Sequence, residues 1–259
     1  MTPPISASTA YIDPGSPARA AGATRRRHLT LYVEPDAQMR TRDHAARDRA
    51  CRIVNVSVAL LGLILAAPLM LVIAALVKLT SPGPAIYRQP RVGLDRRRRG
   101  LDGRPDGDSR RRSDQGGRIF TIYKFRTMRS DRPLSQVWAS RDDPRVTPIG
   151  RFLRSTRLDE VPQLFNVLKG DMNIVGPRPE QPDIFQELSE RVGNYRHRQQ
   201  VLPGITGLAQ VSQGYDSSLD DVKEKVRFDL EYIERRSAVA DLLIMVKTMP
   251  VMVFRRVWM

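Results

Sequence analysis

Two adjacent carboxylates, Asp159 and Glu160, are the residues from which chemistry can be argued. They follow Arg151, Arg154 and Arg157 and precede Pro162; Leu164, Phe165 and Leu168 then recur at helical spacing, with Gly170 behind them. Proline suits the first turn of a helix and glycine its end, so the pair lies at or near the start of a short helix. There the free N–H groups and partial positive charge favour carboxylates and bound phosphate alike. A carboxylate so placed can attack phosphorus or serve as a hard oxygen ligand for Mg2+. The plainer reading is that Asp159 and Glu160 cap the helix and pair with the arginines. The residues alone leave both open.

The elements that must position this pair include one long uncharged stretch, Ile53 to Val77, interrupted by Pro68. As a straight helix its 25 residues would extend roughly 37 Å, enough for a hydrocarbon core of about 30 Å. Two features favour a re-entrant hairpin over a span. Pro68 forces a kink, and basic residues flank both ends: Arg40, Arg42, Arg47, Arg49 and Arg52 before, Lys78, Arg88 and Arg91 after. Positive flanks belong on the cytosolic side, so a helix that bends at Pro68 and returns satisfies both constraints. Residues 1–48 mix Pro, Ala, Ser, Thr and Arg without periodicity and read as a disordered tail. Residues 49–79 form the membrane element, and 80–259 a catalytic domain on the cytosolic face.

Within that domain, Ala85–Gln89 and Ile119–Met128 read as the two strands of a hairpin. The Arg-, Asp- and Gly-rich segment 94–117 between them reads as a mobile insertion. Pro177 and Pro179 hold Arg178 stiffly between them, as a phosphate or nucleotide contact requires. Gln181–Leu188 and Val222–Arg236 read as helices, Pro203–Gln210 as a tight turn into a short strand. The apolar segment Ala238–Val257 suits the membrane interface. The fold class is therefore mixed α+β and mainly helical, with a small β-hairpin and interfacial helices around a catalytic helix.

Lys and Arg total 43 against 28 acidic residues, a formal net charge of +15 that points to a polyanionic partner. A single cysteine, Cys51, excludes an internal disulfide, and three scattered histidines argue against zinc, so any metal is an oxygen-ligated Mg2+.

Eight segments in order resemble the bacterial sugar transferases, the monotopic polyprenyl-phosphate phosphoglycosyl transferases, over residues 51–257. They are Ser81-Pro-Gly-Pro84, Gln89-Pro-Arg-Val-Gly93, Phe120-Thr-Ile-Tyr-Lys-Phe-Arg-Thr-Met128, Asp143-Pro-Arg-Val-Thr147, Leu158-Asp-Glu-Val-Pro-Gln163, Asn166-Val-Leu-Lys-Gly-Asp-Met172, Val175-Gly-Pro-Arg-Pro-Glu180 and Pro203-Gly-Ile-Thr-Gly-Leu-Ala-Gln210. The resemblance covers the catalytic unit alone. It implies transfer of a sugar 1-phosphate from a nucleotide diphosphate sugar, usually a UDP-sugar, to polyprenyl phosphate. UMP leaves, and assembly of a polysaccharide such as an exopolysaccharide begins. It further implies Asp159 as nucleophile, forming a covalent phosphosugar, and Glu160 as a Mg2+ ligand. Lys124, Arg126, Arg145, Arg154, Gln163, Arg178 and Glu180 would bind substrate or phosphate. The implied location is the cytosolic face of the bacterial inner membrane, beside anionic lipids. Two departures stand out: Ala67 precedes Pro68 where relatives often have Ser, and the 94–117 insertion replaces a short turn.

Two other readings compete. An inactive membrane-anchored scaffold of the same fold would have no need for Asp159, Glu160 and their cations. A nucleic-acid-binding protein would explain the charge but not the apolar run, and no nucleic-acid motif is present.

Overall fold

In the computed structural model, which describes residues 37–95, 116–129, 143–213 and 218–254, the apolar run lies inside one helix, α1 (Ala37–Thr80), continuous through Pro68. The helix begins within the segment that composition assigns to a tail, a correction for residues 37–48. Alanines and arginines there are good helix formers, and extending an existing helix needs no new nucleus. Arg236 also pairs with Asp48. The rest of the expected tail lies outside the described residues, as does nearly all of the 94–117 insertion.

One face of α1 packs on the rest of the chain. Cys51, Asn55, Ala59, Ile73 and Val77 are buried along it, at helical spacing with half-buried Gly62, Ala66 and Met70 between. Its N-terminal part meets Phe120, Ile122, Val167 and Met172. Its C-terminal part meets Phe125 and Leu153. The other face exposes Ile64, Leu65, Leu71, Val72 and Leu79. An apolar surface of that extent faces lipid or a partner. By length and composition α1 could cross a membrane.

Strands β1 (Ile86–Val92) and β2 (Ile119–Phe125) form the antiparallel hairpin, with Tyr87 opposite Lys124. The first strand runs further than its alternation suggests, and the second stops at Phe125, short of the expected Met128. Backbone bonds close the stem of the insertion, Gly93 N to Arg118 O at 2.9 Å and Arg118 N to Leu94 O at 3.1 Å. Thr147 then caps α2 (Pro148–Ser155), its Oγ1 accepting from Gly150 N at 3.0 Å.

A 3-10 turn (Leu158–Glu160) and α3 (Gln163–Lys169) follow, and Gly170 ends α3 in the left-handed region at φ 84°. Next come β3 (Asn173–Val175), α4 (Pro182–Arg191), a 3-10 segment (Tyr195–Gln200) and β4 (Gly204–Thr206), which pairs in parallel with β3. Three helices complete the described chain: α5 (Leu208–Ser212), α6 (Leu219–Arg235) and α7 (Ala238–Phe254). The architecture is mixed and mainly helical with a small β-hairpin, as expected.

Polar bonds lock the base of α1 into this body. Asn55 donates to Asp241 Oδ2 at 2.6 Å and accepts from Ile174 N and Val175 N at 2.8 and 3.0 Å. Tyr232 donates to Asp241 Oδ1 at 2.8 Å. Arg52 donates to Met172 O at 2.7 Å and to Val167 O. A buried polar group needs such partners, so α1, α3, β3 and α7 are fixed to one another.

Candidate active site

Asp159 and Glu160 stand in the 3-10 turn between α2 and α3, and both are buried. The turn begins where α2 stops: Arg157 adopts φ 58°, a left-handed conformation costly for a side-chain-bearing residue and therefore a sign of a constrained site. Glu160 N then donates to Arg157 O at 3.1 Å.

Glu160 is surrounded by cations. Its Oε1 accepts from Lys124 Nζ at 3.0 Å and from Arg178 Nη2 at 2.8 Å, and Arg157 Nη1 lies 4.0 Å away. Burial alone would raise its pKa; Arg178 and Lys124 overcome that and hold it well below the usual carboxylate range. Asp159 behaves oppositely. Burial, then the charge of Glu160, pushes its pKa up to about 6 against the pull of Lys124, Arg157 and Arg154. Neighbouring carboxylates driven apart in this way are characteristic of sites that divide two roles between them.

Lys124 reaches Glu160 because of Asn166. This fully buried α3 side chain donates to Thr121 O at 2.7 Å and accepts from Tyr123 N at 3.1 Å, stapling α3 along β2. Arg178 is placed by its own backbone. Pro177 O accepts from Gly204 N at 2.9 Å, Arg178 O from Arg198 Nη2 at 3.0 Å and Pro179 O from Arg91 Nη1 at 3.1 Å. The two prolines stiffen this loop, and three donors on its successive carbonyls fix where it points.

Behind the loop lies a buried charge network. Arg198 pairs with Asp229 at 2.7 Å and lies over the Tyr195 ring. Glu180 pairs with Lys225 at 3.0 Å and faces Arg91 at 3.9 Å. Burial opposes ionisation of Glu180, but Lys225 and Arg198 hold its pKa down at about 2.

Of the residues singled out in the sequence, Asp159, Glu160, Lys124 and Arg178 converge. Arg154, at the end of α2, contributes its charge to Asp159. Gln163 is buried at the start of α3, its Nε2 without a hydrogen-bond partner. The structure places three others away from Glu160. Arg126 is buried against the end of α1, donating to Ser81 O at 2.6 Å and Pro82 O at 2.8 Å. Arg145 chelates Asp143 within its own turn, at 2.6 to 3.1 Å. Glu180 belongs to the network behind the loop. Arg157, read from the sequence as a possible partner of the carboxylates, does face Glu160, whereas sequence reasoning missed Asn166, Arg91 and Arg198 as positioning residues. Arg91 had a signal, since it follows Tyr87 and Gln89 at period two on the sheet face that carries Lys124.

Among the described residues no three His, Cys, Asp or Glu side chains gather around one point. Mg2+ commonly binds through one or two carboxylates, with phosphate oxygens and water completing its shell. The ionised Glu160 and adjacent Asp159 fit that smaller donor set.

The protein-family model described as bacterial sugar transferase matches residues 46–100 and 108–255. Among curated relatives, the chain is 40% identical over 209 residues to a UDP-glucose:undecaprenyl-phosphate glucose-1-phosphate transferase of Caulobacter vibrioides, covering 79% of this chain and 70% of that protein. It is 39% identical over 196 residues to a UDP-N-acetylgalactosamine-undecaprenyl-phosphate N-acetylgalactosaminephosphotransferase of Aeromonas hydrophila, covering 75% of this chain and 41% of the relative. An Escherichia coli UDP-glucose:undecaprenyl-phosphate glucose-1-phosphate transferase is 39% identical over 202 residues, covering 76% of this chain and 39% of its own length. The chain thus spans about two fifths of the Aeromonas and Escherichia proteins.

Proposed function

The chain belongs to the bacterial sugar transferase family, and on that premise we propose that it moves a sugar 1-phosphate from a UDP-sugar to undecaprenyl phosphate at the cytosolic face of a bacterial inner membrane. The observation that carries this reading is the divided carboxylate pair. Glu160 is held ionised by Lys124 and Arg178, while Asp159 beside it keeps a raised pKa of about 6.

A carboxylate of that basicity is largely ionised at neutral pH yet more nucleophilic than an ordinary aspartate. Asp159 attacks the sugar-bearing phosphorus of the donor. The bond from that phosphorus to the bridging oxygen breaks, and UMP leaves with the electron pair. An oxygen of polyprenyl phosphate then attacks the same phosphorus, the bond to Asp159 breaks, and the carboxylate is regenerated as the lipid diphosphate sugar departs. Lys124, Arg154 and Arg178 would offset the charge that develops on the phosphoryl oxygens. Glu160 would hold Mg2+, which would supply further charge neutralisation at the phosphoryl group. Dividing the transfer in two lets one site serve a soluble donor and a membrane-bound acceptor in turn.

The membrane reading has its own support. Both ends of the apolar run rest on one body: Asn55 and Ala59 on the β3 and α3 side, Ile73 and Val77 against Phe125 and Leu153. A helix crossing the whole bilayer would carry its ends to opposite faces. A re-entrant α1 bending at Pro68 keeps them together, with exposed Leu242, Leu243 and Val246 of α7 lying in the interface beside it.

The test is release of UMP by purified protein with Mg2+, polyprenyl phosphate and a panel of UDP-sugars. UMP should appear with one donor and vanish in Asp159→Asn. Release undiminished by that substitution would overturn the mechanism, and silence across the panel would favour the inactive scaffold.

A further inference from the structure

The donor reaches Asp159 from water, whereas the acceptor must come from lipid, so the two need different approaches. A cleft of about 600 Å3 lies at the end of α1, where the chain turns into β1. Pro84, Ala85 and Ile86 supply apolar lining, and Lys78, Arg88 and Arg126 line it with no acidic residue among them.

The charge of Arg126 is the most informative feature. Its side chain is buried, at 4% exposure, and among the described residues its bonds run only to neutral oxygens. Among the described residues its Nε has no partner. A buried guanidinium with no carboxylate beside it is costly, and a bound anion would offset that cost. Its donations to Val77, Ser81 and Pro82 carbonyls also neutralise the negative end of α1, which would otherwise repel a phosphate there.

The cleft joins the two regions an acceptor must touch. Lys78 sits between Leu76 and Leu79 on the exposed apolar side of α1, with Leu79 83% exposed. At the other side Tyr87 lines the cleft and stands directly opposite Lys124, the lysine bonded to Glu160. Residues paired across strands have side chains about 5 Å apart. The cleft therefore lies between the end of α1 and the strand pair that carries Lys124.

We propose that this cleft seats the polyprenyl phosphate acceptor, its phosphate among Lys78, Arg88 and Arg126 and its first isoprene units against Pro84, Ala85 and Ile86. The assignment rests on the reading of the chain as a polyprenyl-phosphate transferase. An amphiphilic anion matches the lining, whereas a nucleotide sugar would have no use for the apolar wall.

The test labels full-length protein in nanodiscs with a photoactivatable polyprenyl phosphate and maps the adducts by peptide mass spectrometry. Adducts should fall in 84–88, be displaced by excess polyprenyl phosphate but not by phosphatidylglycerol, and drop at least fivefold in a Lys78→Glu/Arg88→Glu variant. Both residues are at the surface and clear of the packed core. In the same variant the KM for polyprenyl phosphate should rise at least tenfold, while that for the UDP-sugar moves less than twofold. Labelling elsewhere would overturn the proposal, as would equal displacement by phosphatidylglycerol, which would mark a general anionic-lipid surface. Absence of UMP release with every donor would refute the enzymatic reading separately, because labelling requires no turnover.

Discussion

The raised pKa of Asp159 gives the proposed mechanism a pH signature. Its carboxyl is pushed from 3.8 to about 6, first by burial and then by Glu160. That shift corresponds to roughly 3 kcal/mol against the charged form. A nucleophilic Asp159 must be ionised, which holds for about nine tenths of molecules at pH 7 and about one tenth at pH 5. The kcat/KM for UDP-sugar, read from UMP release, should therefore fall with unit slope below about pH 6. Glu160→Gln removes a neighbouring negative charge and releases the positive charge of Lys124 and Arg178 onto Asp159. Turnover should drop, and the acid limb of what remains should move below pH 6. A limb that stays in place, or moves upward, would refute the electrostatic argument. The same shift acts on folding. The folded chain holds this proton more tightly than the unfolded chain, so stability declines as pH rises from about 4 to 6 and stays lower above. Asp159→Asn removes the cost, and its Tm at pH 7.5 should exceed that of wild type by several degrees, about 2–4 °C for each kcal/mol.

Other perturbations separate positioning from stability. Arg198→Met leaves Asp229 buried and unpaired, a loss of about 3–5 kcal/mol by chemical denaturation. Adding Asp229→Leu should restore most of the stability but not kcat/KM, because Arg178 O still lacks its donor. Asn166→Leu deletes both bonds to the β2 backbone; it should cost about 1–3 kcal/mol and lower kcat through displacement of Lys124, seen as a pH profile unlike that of wild type. Glu180, with its pKa held at about 2, contributes stability that is present above about pH 4.5 and lost as pH falls towards 2. Glu180→Gln should therefore flatten the acid-denaturation curve over that range. Chelation of divalent cations should stop UMP release, with Mg2+ restoring it and Zn2+ failing to do so.

What the sequence reveals and conceals follows from where each interaction ends. The turn that carries Asp159 and Glu160 was legible because Pro162 and Gly170 are local signals, and the hairpin because side chains alternate along β2. Of the β3–β4 pair only β4 left a trace, within the turn and short strand of Pro203–Gln210; β3 did not, since three residues carry no readable period and the parallel pairing depends on distant chain. Lys124 and Arg126 show the same limit within one motif. Two residues apart, they would share a face if the strand continued, but β2 ends at Phe125 and Arg126 turns to α1. The positive excess is the subtler case. Arg52, Arg91, Arg126 and Arg198 each donate to main-chain carbonyls, which hold α3, the Arg178 loop and the end of α1 in place. A carbonyl acceptor is invisible in sequence because every residue has one; Arg198 and Arg91 also face Asp229 and Glu180, whereas Arg126, among the described residues, bonds only to neutral oxygens and adds a charge that no acidic partner offsets. Part of the net charge of +15 is thus internal scaffolding, which is why composition alone also pointed towards nucleic acid.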